Sequence, residues 1–178
     1  MIVIPISGKA GHGKDTIAGF IKEELEKRGK TVLIIHYGDL LKYICKQFFG
    51  WDGQKDEAGR SMLQYVGTDV IRKQEPDYWV DFIIHFLRLF KGEWDYVLIP
   101  DARFPNEVYK IRDRFPSIHL RIIRPGFSML TEEQQKHKSE TALDNVTPDM
   151  WASNAGTLDT LRESVVCICD RIENFFIC

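Results

Sequence analysis

The most specific chemistry in the sequence lies in nine residues, Gly8-Lys9-Ala10-Gly11-His12-Gly13-Lys14-Asp15-Thr16. They satisfy the spacing GxxxxGK, directly after a short apolar run and directly before an amphipathic pattern, the context that this motif needs. Gly8, Gly11 and Gly13 let the backbone wrap a phosphate with its N–H groups turned inward. The helix opening at Lys14 adds the positive end of its dipole, and the Lys14 ammonium reaches β- and γ-phosphates. The alternative is a glycine-rich turn without a ligand, and motif and flanks agree against it. Asp15 stands where a Ser or Thr usually meets Mg²⁺, with Thr16 one residue on. A carboxylate can hold that hard cation directly or through water, and Thr16 can instead donate to a phosphate. His12 sits inside the loop with its side chain free to point outward.

A second anchor is Tyr96-Val97-Leu98-Ile99-Pro100-Asp101, a buried-strand run ending in a carboxylate, where ligands bind in open parallel sheets. Asp101 fits the holding of Mg²⁺ through its water shell; the plainer alternative is a helix cap. Arg103 follows within reach of a transferred phosphoryl group or an acceptor phosphate, or else pairs with Asp101 or Glu107. Between the two anchors lie Lys42, Arg60, Gln64 and Arg72. A phosphate acceptor needs such cations, with Arg favoured for bidentate contact, although each alone also reads as a surface charge. Asp81, His85 and Arg88 form a polar stripe on one helix and carry no catalytic assignment.

These residues need a scaffold, and the chain is of a size to supply one. Its 178 residues fit one domain, without a disulfide or metal staple. A net charge of −2 argues against a stable nucleic-acid partner. No run of about 18 apolar residues is present, so no membrane span is expected. No basic leader precedes the first apolar run. Cys45, Cys167, Cys169 and Cys178 form no CxxC pair, which suits a reducing cytoplasm.

Short apolar runs alternate with longer helical patterns, predicting a doubly wound α/β fold: a parallel five-stranded sheet with helices on both faces. Strands are expected near Ile2–Ile6, Thr31–Tyr37, Tyr96–Pro100, Ile118–Ile123 and Met150–Ser153. Helices are expected over Lys14–Arg28, Leu40–Phe49, Ala58–Lys73, Tyr78–Phe90, Asn106–Phe115 and Leu158–Phe176. Pro125 to Pro148 lacks a strong period and reads as a mobile loop, part of a lid spanning about 124–148.

In their order along the chain these segments resemble the bacteriophage-type deoxynucleoside monophosphate kinases of the P-loop kinase group. SGKAGHGKDT looks like that family's phosphate loop, including the Asp after the Lys. Tyr37-Gly38-Asp39-Leu40-Leu41-Lys42 is similar to its FADPLK-like segment, and Leu63–Asp69 with Trp79-Val80 resembles its LQxxGTD…WV stretch. Asp101-Ala102-Arg103-Phe104-Pro105-Asn106-Glu107 looks like D-x-R-F-P-N-E. Arg124-Pro125-Gly126 with His137-Lys138-Ser139-Glu140 resembles the RPG…HxSE lid. Asn154-Ala155-Gly156-Thr157-Leu158 is similar to the loop that cups adenine in related kinases.

The resemblance implies ATP and Mg²⁺, and transfer of the γ-phosphoryl group to a deoxynucleoside monophosphate. It implies ATP contacts at Gly8, Gly11, His12, Gly13, Lys14, Asp15, Thr16, Arg124, Asn154, Gly156 and Thr157. The acceptor falls to Asp39, Lys42, Arg60, Gln64, Gly67, Arg72, Trp79, Arg103, Glu107 and Glu140. Asp15, Thr16 and Asp101 are the expected metal side, and Lys14, Arg103 and Asp101 the catalytic set. Closure of the lid would bring Arg124, Lys136 and Lys138 over the phosphates. A monomer or homodimer is expected, with a small-molecule nucleotide as its partner. Two rivals remain: a kinase of another phosphorylated metabolite, such as dephospho-coenzyme A or phosphomevalonate, and a nucleotide-binding switch. The acceptor-side cations weigh against a switch.

Overall fold

The computed structural model describes residues 1–54 and 56–177; Cys178 lies outside them. Two compact units emerge, one formed by residues 1–35 with 91–178 and the other by residues 36–90.

The first unit holds the sheet: β1 (Ile2–Ser7), β2 (Val32–Ile34), β3 (Tyr96–Ala102), β4 (Leu120–Ile123) and β5 (Met150–Ser153). All four pairings are parallel, in the order β2-β3-β1-β4-β5. Such a sheet must cover its faces with helices, and alternation along the strands says which residues go where. Ile4 and Ile6 of β1, Leu120 and Ile122 of β4, and Met150 and Ala152 of β5 share one core cluster. Ile17, Ile21 and Leu25 of α1 (Lys14–Lys27) join it, as do Leu161, Val165, Ile168 and Ile172 of α8 (Leu158–Asn174). The intervening residues, Ser7, Arg121 and Trp151, therefore face away from α1 and α8. They lie in one row, because Ser7 is in register with Arg121 and Arg121 with Trp151.

Pro5 sits inside β1, and the pairing with β3 shifts register between Pro5 and Ser7. Proline lacks the N–H that an even ladder would use there. The edge strand β2 is shorter than its apolar run predicts. β3 is longer, carrying Asp101 and Ala102 within the strand rather than after it.

Beyond β3, α5 (Pro105–Arg112) starts on Pro105, and the Glu107 carboxylate accepts from the N–H groups of Arg103 (2.7 Å) and Phe104 (3.0 Å). That fixes the strand-to-helix turn holding Arg103. The segment read as a mobile loop, Pro125 to Pro148, contains two short helices, α6 (Glu132–Gln135) and α7 (Lys138–Thr141). Four residues are too few to show a helical period, so the pattern could not announce them.

The second unit is helical: α2 (Gly38–Phe48), α3 (Glu57–Gln64), a π-helical stretch (Tyr65–Arg72) and α4 (Tyr78–Leu89). One helix over Ala58–Lys73 is replaced by α3 and the wider stretch after it. Gly67 lies in that stretch against Leu41, where a β-carbon would come within 2.5 Å of a methyl, and its carbonyl accepts from the Trp79 indole N–H at 3.2 Å. Cys45 and Cys169 are buried and Cys167 is exposed, all three as free thiols. Among the described residues no helix is long and apolar enough to cross a membrane.

Candidate active site

Gly8, Gly11 and Gly13 all take positive φ, at 153°, 77° and 95°, and the loop they shape leads straight into α1. Gly11 is also sterically required: a β-carbon there would lie 2.7 Å from the Phe127 ring and 2.8 Å from the Met129 sulfur. Lys14 turns back over the loop and donates to the carbonyls of Gly8 (2.7 Å) and Lys9 (3.1 Å). Only 8% of its surface is exposed. Burial, reinforced by the charge of Arg103, pushes its pKa down to about 8 against the opposing fields of Glu140, Asp15 and Asp101. Five charged groups expected from the sequence therefore converge on one place.

His12 corrects an expectation. Its side chain is buried rather than outward, with Nδ1 accepting from the Arg124 backbone N–H at 3.3 Å and lying 3.4 Å from the Ile122 carbonyl. Asn154 donates from its amide to the His12 carbonyl at 3.0 Å, bracing the loop from behind. Thr157 caps α8 by accepting from the Thr160 N–H. Gly156 packs so closely on the Thr160 hydroxyl that a β-carbon would sit 2.4 Å from it. The Arg124 guanidinium stacks 4.0 Å from the centroid of Phe127, beside the loop.

Glu140 occupies the centre. One carboxylate oxygen accepts from the Ala10 N–H at 2.9 Å, and the other pairs with Arg103. An anion thus already rests on a loop amide and the expected phosphate-binding arginine, next to Lys14. The Arg103 guanidinium pairs with this carboxylate, while its backbone N–H donates to Glu107.

In the second unit Lys42 donates to Asp39 at 2.9 Å, and the His36 N–H donates to the same carboxylate at 3.0 Å. Burial would raise the Asp39 pKa, but these donors outweigh it and hold the carboxyl below its usual range. Arg60 and Gln64 are exposed and Arg72 is half-buried. Trp79 is buried against Gly67.

Three residues that the motifs pass over also line the cavity: Arg121, Asp144 and Trp151, beside Ser7, Gly8, Lys9, His12, Arg103 and Glu140. Arg121 carried a faint signal, a charge inside an otherwise apolar strand. The cavity they enclose has a volume of about 200 Å³.

Residues 42–165, more than half of the chain, match the family model for deoxynucleotide monophosphate kinases. The chain belongs to this family. A putative deoxynucleotide monophosphate kinase of Acanthamoeba polyphaga mimivirus is 27% identical over 96% of this chain and 97% of its own length. The deoxynucleotide monophosphate kinase of Enterobacteria phage T4 is 28% identical over 60% of this chain and 43% of its own. Among solved structures, an APS kinase of Mycobacterium tuberculosis superimposes with a TM-score of 0.53, at 12% identity, over 94% of this chain and 96% of its own. A shikimate kinase of Aquifex aeolicus gives 0.53 at 10% identity, over 97% and 98%. At these identities the solved structures speak for the fold, an α/β P-loop kinase fold. As a family member the chain is a nucleotide kinase.

Proposed function

We propose that the protein transfers the γ-phosphoryl group of ATP to a deoxynucleoside 5′-monophosphate, giving the diphosphate and ADP. The observation that carries this reading is the cradle around Glu140, where a loop N–H and the Arg103 guanidinium meet on one carboxylate whose charge also acts on Lys14. The same donors suit the three equatorial oxygens of a phosphoryl group in flight. In such a transfer the protein positions the reactants and neutralises charge, with little covalent work to do. Lys14 and the loop amides take the β- and γ-phosphates; Arg103 orients the acceptor phosphate against them. The acceptor phosphate is already a competent nucleophile, so no general base is assigned.

On the acceptor side, Lys42 and Arg72 offer the cations of the second unit, with Asp39 fixing Lys42. Arg124, Asn154, Gly156 and Thr157 are assigned to the donor nucleotide. The oxygen donors fit Mg²⁺: Asp15, Thr16 and Asp101 are hard ligands, and both carboxylates act on Lys14. Among the described residues no group of three or more His, Cys, Asp or Glu could hold a metal ion, so phosphates and water would complete the shell. When bound, Mg²⁺ would neutralise charge on the β- and γ-oxygens.

The deciding experiment is an acceptor panel with coupled ADP detection. It contains the deoxynucleoside monophosphates together with dephospho-coenzyme A and phosphomevalonate. ADP release should depend on a deoxynucleoside monophosphate, and Lys14→Ala should lose most single-turnover transfer from labelled ATP. Transfer to another metabolite alone, or hydrolysis that no monophosphate stimulates, would overturn the assignment.

A further inference from the structure

Arg121 has no role in the reading above, yet it is placed as a ligand-binding residue would be. It lies on β4 in the row Ala102–Ser7–Arg121–Trp151, which crosses the sheet at the ligand-binding edge and lines the cavity. Its guanidinium is held on three sides. Nε donates to the Ser7 hydroxyl at 3.2 Å, and Nη2 donates to the Leu143 carbonyl. Its Cζ stands 5.4 Å from the centroid of the Trp151 ring. Ser7 is anchored in turn, with its hydroxyl 2.7 Å from Nε2 of His119, and both residues are only 1% exposed.

The charges around the cavity do not balance. Arg103 has Glu140, and Lys9 has Asp144 at 3.7 Å. Among the described residues no carboxylate lies within ion-pairing distance of Arg121. Burial lowers its pKa, the signature of a cation paying a desolvation cost, with only the more distant field of Asp144 opposing. A partly buried arginine that a scaffold is built to aim, and that lacks a counter-ion, is completed by an anion. Nη1 is the donor group not engaged by Ser7 or Leu143, and Arg121 lines a cavity of about 200 Å³ with room for a phosphate.

We infer that Arg121 is an additional phosphate-binding residue of this site, gripping a terminal phosphate oxygen through Nη1, with Ser7 and His119 as the positioning residues that aim it. The inference rests on the kinase reading for its setting. The phosphate is either the γ-group of the donor or the acceptor monophosphate, and binding measurements separate these.

The test is calorimetric titration of ATP, ADP and a deoxynucleoside monophosphate into wild type, Arg121→Gln, Arg121→Lys and Ser7→Ala, with thermal melts alongside. If Arg121 holds the γ-phosphate, Arg121→Gln should weaken ATP at least tenfold while ADP binding stays within about twofold. If it holds the acceptor, monophosphate affinity should fall tenfold and the ATP-to-ADP ratio should stand. Ser7→Ala should shift the same ratio in the same direction by less. Arg121→Lys retains the charge and is read by the same ratios if the glutamine variant does not fold. Equal loss for all three ligands in step with a lowered melting temperature would make Arg121 a strut for Leu143 and overturn the inference. So would unchanged affinities. Failure of the kinase reading looks different: no monophosphate would be phosphorylated by wild type, while the ATP-to-ADP ratio could still respond to Arg121.

Discussion

Lys14 shows how a single side chain can be prepared for a polyanion. Donating to two carbonyls of its own loop holds the ammonium in place, but two neutral acceptors and a nearby Arg103 are a poor substitute for bulk water. Its pKa accordingly falls to about 8. A polyphosphate brings the missing negative charge and should restore the pKa towards its ordinary value. The sign follows. Below pH 8 the ammonium is present in both states, whereas from about 8 upward the free protein has lost a proton that the complex retains. Binding of ATP at pH 9 should therefore take up close to one proton, and affinity should decline as pH rises through 8. The phosphates are fully ionised there and contribute nothing to this uptake. Titrations in two buffers of different ionisation heat measure it directly. Uptake that persists in Lys14→Ala would assign the proton to another group.

At the scale of elements, the informative piece is the segment from α7 to Asp144. It presents Glu140 to Ala10 and Arg103, the Leu143 carbonyl to Arg121, and Asp144 to Lys9. Two of these three groups are anions, set against the donors that a nucleotide requires. Phosphates and Glu140 compete for the same cradle, so removing the charge while keeping the shape should favour the nucleotide. Glu140→Gln is expected to tighten ATP about fivefold, the worth of roughly 1 kcal/mol for a partly shielded pair. A fluorescence displacement titration at fixed ionic strength reads this. Weaker binding would instead make Glu140 a ligand contact, the role that its lid motif implies.

Much of the surrounding architecture was legible beforehand. The GxxxxGK spacing, the apolar run that leads to Asp101 and the stripe of Leu161, Val165, Ile168 and Ile172 on α8 are local patterns set by short-range backbone and burial rules. Glu140 on Ala10 and Ser7 beside His119 were not legible. Each joins residues more than a hundred positions apart and depends on strand order, which no local period encodes. Arg121 was hidden for the same reason. A lone arginine in an apolar strand gains meaning only when register places Ser7 on one side and Trp151 on the other.

For the whole molecule, the most consequential buried group is His119, which links the interior behind the site to the stability of the fold. Its ring is almost fully buried, with Nε2 on Ser7 and Nδ1 without a hydrogen-bond partner. Burial first, and then the charges of Arg121 and Arg112 against the opposing field of Asp149, push its pKa down to about 4. An unfolded chain would return it to about 6.5. Between those values the unfolded state binds more protons than the folded one, so stability rises with pH across the window. The contribution is complete above about 6.5 and is lost as pH falls towards 4. From pH 6.5 down to 4.5 the loss from this one group should be about 2 kcal/mol. Urea titrations across that range on wild type and His119→Gln give the comparison, because other groups that titrate there are common to both chains. The glutamine variant starts from a lower stability, having changed a buried contact, but its dependence on pH should be flatter by that amount. Parallel curves would show that His119 gains its proton without cost, and that the pocket behind Ser7 opens to water in the folded protein.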